Sequence, residues 1–131
     1  MRHLRVLAVG VGICIAIGVI ACGNGVPSPS TSSGPPVGMA GGNLGTATVK
    51  IQATDSNVFT PATATAHVGD IIEWMNAGSV LHTVTFDNHS ELNDDTLQGG
   101  GVWQVKFTVA GTYPYICTIH QPDMKGTITV T

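Results

Sequence analysis

Cys117-Thr118-Ile119-His120-Gln121-Pro122-Asp123-Met124 brings a thiol, an imidazole and a thioether into one short stretch of chain. Soft sulfur favours Cu(I) and imidazole is comfortable with Cu(II), so this donor set suits copper in both oxidation states. Strand-like runs flank the stretch, Thr112 to Ile116 before it and Lys125 to Val130 after it, which makes it a loop. A further ligand has to come from elsewhere. His82, in Ser79-Val80-Leu81-His82-Thr83-Val84, stands just before a strand-like run and is the natural candidate, because a sandwich gathers loops from distant strands at one end. Three other chemistries compete for the same residues. An inert buried thiol does not account for the adjoining His and Met. A Cys-His nucleophile lacks an evident third group to orient the base, and a structural zinc would prefer a fourth strong ligand to a thioether.

Cysteine usage sharpens the point. Of Cys14, Cys22 and Cys117, the first lies in an apolar leader and the second at its end, so Cys117 is alone in the remaining chain and has no internal disulfide partner. A leftover cysteine in an exported protein needs a partner, a reactive role or a metal.

The elements that must position these donors read as short strands. Ala47 to Ala53, Val105 to Val109 and Gly126 to Val130 alternate with period two, and Gly69-Asp70, Asn76-Ala77-Gly78 and Ala110-Gly111 are credible turns. No stretch of the domain reads as a long helix. The expected fold is therefore all-β, a small antiparallel β-sandwich spanning 46–131. Residues 88–101 do not alternate and end in three glycines, which predicts a loop with room for a helical turn. His67 and His89 fall on an outward position and a polar loop, with no expected function, while Trp74 and Trp103 are expected in packing.

Upstream of the domain the chain changes character twice. Residues 1–21 run from Arg2 and Arg5 into an apolar stretch, the order of an export signal; at about 15 residues the stretch is shorter than the roughly 20 a spanning helix needs. Val19-Ile20-Ala21-Cys22 resembles the lipobox at which bacterial lipoproteins are lipidated on cysteine and cut just before it. Residues 22–45 then read as the lipidated Cys22 and a Gly/Pro/Ser tether, with a root-mean-square reach of about 25 to 30 Å as a flexible coil. Removing 1–21 takes Arg2 and Arg5 away and lowers the net charge from −3 by two, to −5. Three scattered lysines form no basic face, which sets nucleic acid aside as a partner.

Phe59-Thr60-Pro61, Val68-Gly69-Asp70, Trp74-Met75-Asn76, His82-Thr83-Val84, Gly111-Thr112-Tyr113-Pro114-Tyr115, Cys117-Thr118-Ile119-His120 and Met124-Lys125-Gly126 occur in an order that resembles the cupredoxins, the small blue-copper proteins, and most of all their plastocyanin, pseudoazurin and amicyanin branch. The resemblance implies a Greek-key sandwich or barrel with one mononuclear type 1 copper per chain. It carries over His82, Cys117 and His120 as the trigonal ligands and Met124 as the long axial one. Four positions separate His120 from Met124, with Gln121 placed before Pro122, and that length sets where the thioether lands. Backbone N–H groups, including that of Thr83, are expected to tune the sulfur. The implied function is one-electron transport outside the cytoplasm by a monomer, tethered through Cys22 to a membrane and exchanging electrons with a donor and an acceptor such as a cytochrome or oxidase. It is not expected to be an enzyme. The competing reading is a copper-handling protein whose redox change is incidental; a copper oxidoreductase would need a second centre, and the sequence contains no His-x-His pair.

Overall fold

A computed structural model describes residues 35–131. The leader, Cys22 and the first part of the tether lie outside the described residues.

Among the described residues ten strands carry the fold: β1 (Gly38–Gly41), β2 (Val49–Thr54), β3 (Val58–Thr60), β4 (Thr63–Ala66), β5 (Ile71–Asn76), β6 (His82–Phe86), β7 (Asp94–Leu97), β8 (Val102–Phe107), β9 (Gly111–Ile116) and β10 (Lys125–Val130). They form two five-stranded sheets, in the orders β1-β8-β5-β2-β3 and β4-β10-β9-β6-β7. The ladders are antiparallel except for β2 with β5 and β4 with β10, where crossovers between the sheets return the chain in the same direction. The period-two expectation holds well in β10, where Gly126, Ile128 and Val130 turn inward. Between the sheets lie Ile51, Ile72, Trp74, Val84, Phe107, Tyr115 and Ile128, all essentially sealed from solvent. The Trp74 ring joins an aromatic cluster there, meeting Phe86 and Tyr115 edge to face, with centroids 5.7 and 5.3 Å apart. Trp103 is half-buried at the margin and donates from Nε1 to the Leu92 carbonyl at 2.9 Å.

Two sequence expectations change. Gly38–Gly41, within the stretch 22–45 expected to be tether, forms β1 and pairs antiparallel with β8, Gly38 opposite Phe107 and Gly41 opposite Gln104. Glycine is required at 38, because a Cβ there would stand 2.6 Å from the Lys106 carbonyl oxygen. Gln104, buried in spite of its amide, then fastens the next turn. Its Oε1 accepts from Leu44 N and Gly45 N at 2.6 and 3.2 Å, and its Nε2 donates to Gly45 O and Glu73 Oε2 at 3.1 and 2.7 Å. A Gly-rich segment lacks apolar alternation, yet it supplies backbone donors and acceptors that an open β8 edge would otherwise leave unpaired.

The expected loop 88–101 contains a 3-10 turn at Ser90–Leu92 and then β7, which pairs with β6 across a bulge, His82 opposite Leu97 and Val84 opposite Asp94. Leu92 and Leu97 are its two buried anchors. An edge strand with one face in water needs only one inward apolar residue here, so Asp94-Asp95-Thr96 hid it.

Candidate metal centre

Three chain segments deliver the donors to one end of the sandwich. His82 opens β6, Cys117 follows directly on β9, and His120 ends the 3-10 turn Thr118–His120. Backbone bonds cinch the loop: His120 N donates to Cys117 O at 3.2 Å, Met124 N to His120 O at 3.1 Å, and Cys117 N to Met124 O at 2.9 Å. The loop thus closes on itself just where β9 and β10 begin to pair.

The ligand atoms of His82, Cys117 and His120 all lie within 4.8 Å of one another. Both imidazoles turn Nδ1 toward the sulfur, at 3.9 Å from His82 and 3.4 Å from His120. Such separations match one small ion bonded at about 2.0–2.3 Å to each donor. Two further observations fit a metal. His82 is fully buried and its Nε2 has no hydrogen-bond partner, so the ring is placed for Nδ1 rather than for a protein contact. The sulfur, also sealed from solvent, accepts from the Thr83 backbone N–H at 3.4 Å, the contact expected of that residue. Sequence reading did not anticipate the hydroxyls around it: Thr83 Oγ1 accepts from Thr118 N at 2.8 Å and shares a proton with Thr118 Oγ1 at 3.0 Å. This clasp ties the residue after His82 to the residue after Cys117. Met124 is fully buried at the end of the loop. His67 and His89 stand apart, His67 bonded to Thr131 Oγ1 at 3.0 Å and His89 paired with Glu91 at 3.4 Å.

Electrostatics favour a neutral His82. Burial pushes its pKa below the ordinary 6.5, and the His120 ring lowers it further; the Asp55 carboxylate and the Thr54 carbonyl pull more weakly the other way. A folded-state pKa below the unfolded value means that the unfolded chain binds the extra proton first as pH falls. The metal-free protein is therefore expected to lose stability from about pH 6.5 downward, until the folded-state pKa is passed. Urea midpoints measured between pH 7.5 and 5 check this, and His82→Asn should flatten the slope. An equal slope in that variant would assign the effect to other groups.

The family model for copper binding proteins of the plastocyanin/azurin family matches residues 45–131. The chain belongs to that family. The His-Cys-His group described above is consistent with the one copper expected of a member of this family. Among relatives of this plastocyanin/azurin-family chain, the plastocyanin of Scenedesmus fuscus is 37% identical over 95 residues, covering 63% of this chain and 97% of that one. Amicyanin-alpha of Methylorubrum extorquens is 36% identical over 66 residues, covering 47% of this chain and 55% of its own length. Solved structures share the fold: a mutant fern plastocyanin at TM-score 0.58 and 24% identity, covering 63% of this chain and all of that one, and an oxidised amicyanin variant at 0.58 and 23%, covering 74% and 94%. Family membership implies copper-based electron transfer.

Proposed function

We propose that this protein is a one-electron carrier outside the cytoplasm, held at a membrane through lipid on Cys22 and exchanging electrons with protein donors and acceptors as a monomer. The observation that carries the reading is the contrast between the two histidines. His82 is sealed, whereas His120 is only half-buried, and the chain neighbours of the two histidines include exposed apolar side chains, Val80, Leu81 and Ile119, at 37, 41 and 49% exposure. Copper bound by this donor set supplies a one-electron couple between Cu(I) and Cu(II). The chain's own residues do the rest. Cys117 offers a negative sulfur away from water, Thr83 N–H steadies it, and His82 and His120 hold fixed directions through their Nδ1 atoms. Met124, whose carbonyl already closes the loop on Cys117, is proposed as the weak axial ligand. Donors held this way need little rearrangement when charge changes at the site, which favours fast exchange.

The apolar rim lets a partner approach the His120 edge without a large desolvation cost. Leu81→Lys should slow electron self-exchange between oxidised and reduced copies by roughly tenfold, because two added charges would then meet across the contact. Line broadening in NMR mixtures of the two forms measures it. An unchanged rate would place the electron route elsewhere. A protein that instead surrendered its copper rapidly to a chelator while exchanging electrons slowly would be a copper handler.

A further inference from the structure

We propose that Asp55 is a positioning residue for His82, holding from outside the loop that delivers this ligand; the proposal rests on the copper reading above. Asp55 lies in the turn between β2 and β3, far in sequence from the site. Its Oδ1 accepts from Ser79 N at 2.8 Å and Val80 N at 3.0 Å, and its Oδ2 meets Ser79 Oγ at 3.5 Å. Ala77 N donates to Ala53 O at 2.9 Å, so the end of β2, just before that turn, grips the loop at a second point. Those two backbone N–H groups are the leading reasons why the Asp55 carboxyl sits below its ordinary range.

The loop is built to receive this carboxylate. Gly78 leaves the space it occupies: a Cβ at 78 would collide with Asp55 Oδ1. On the other side, Gly99 comes so close that its Cβ would stand 2.8 Å from Gly78 O. From within, Asn76 donates to Val80 O at 2.6 Å and Leu97 O at 2.9 Å and accepts from Gly78 N at 3.0 Å. Residues 77–81 are thus clamped between Asp55, Asn76 and the Gly99 turn, and His82 is the next residue. The ring itself is buried with no hydrogen-bond partner on Nε2, and its Nδ1 faces the Cys117 sulfur at 3.9 Å. The backbone that carries the ring therefore contributes to its direction. Outer-shell contacts that orient a ligand commonly change metal affinity by about 10–100-fold when removed.

The test uses the copper-loaded protein, with Asp55→Ala, Asp55→Asn and Gly78→Ala beside wild type. Copper hyperfine splitting is read by EPR, and release of Cu(II) to EDTA is followed by loss of absorbance. Asp55→Ala is expected to release copper about tenfold faster with altered hyperfine splitting. Asp55→Asn keeps an oxygen acceptor and should stay close to wild type, while Gly78→Ala, which displaces an intact carboxylate, should reproduce the alanine effect. If Asp55→Ala lowers only the melting temperature and leaves spectrum and release unchanged, the positioning role falls. It falls too if Asp55→Asn is as impaired as alanine, because the effect is then one of charge. A wild-type protein lacking the thiolate-copper spectrum would instead overturn the copper reading itself, an outcome separable from any comparison among variants.

Discussion

Cys117→Ser is expected to abolish the intense visible absorption of the copper-loaded protein and to weaken copper binding by more than roughly 100-fold. Outer-shell changes alone already reach that order, and this change removes a direct donor. A serine hydroxyl does not ionise near neutral pH, so the site loses its one negative ligand in a place sealed from water. The two imidazoles remain, with nothing between them to replace the sulfur that both face. The Thr83 N–H also loses the large, polarizable acceptor it meets at 3.4 Å. Optical and EPR spectra of Cu(II)-loaded wild type and variant check this. Wild type should show strong charge-transfer absorption and narrow hyperfine splitting, and the variant a pale spectrum with the wide splitting of ordinary tetragonal copper. The metal-free melting temperature controls for folding, since serine is close in size. Spectra indifferent to the substitution would mean that copper binds adventitiously.

The second large effect concerns stability. Trp74→Ala removes a fully buried ring that meets both Phe86 and Tyr115 at nearly right angles. Such truncations cost about 3–5 kcal/mol, against a total of about 5–15 kcal/mol for a domain. The metal-free variant should melt at least about 12 °C below wild type, as each kcal/mol shifts a domain of this size by roughly 4–8 °C. Copper should recover part of the loss, because a ligand at a thousand times its dissociation constant adds about 4 kcal/mol to the folded state. Circular dichroism melts with and without copper measure both. A shift of only a few degrees would show that the core repacks around the void.

Legibility followed the distance over which each contact reaches. The three donors of the ligand loop share one turn of chain, and their types alone point to copper. His82 is 35 residues from Cys117, and only the expectation that a sandwich gathers its loops, with the resemblance to cupredoxins, named it. β1 and β7 were hidden for the same reason in different guises: Gly38–Gly41 is held by backbone pairing with β8, and Asp94–Leu97 by a single inward leucine. Neither shows the alternation by which β2 and β10 declare themselves. The Asp55 clasp spans 24 residues and joins a side chain to backbone amides, which no residue pattern records.

The sequence by itself determined the chemistry of the donors and the β class, because ligand type belongs to each residue and period two to neighbouring ones. Tertiary structure alone decided which histidine is sealed and which reaches the surface, how the sulfur is surrounded, and that Gly38–Gly41 pairs into a sheet. Those properties depend on packing between segments distant in the chain, where burial and hydrogen-bond geometry are set jointly by both partners.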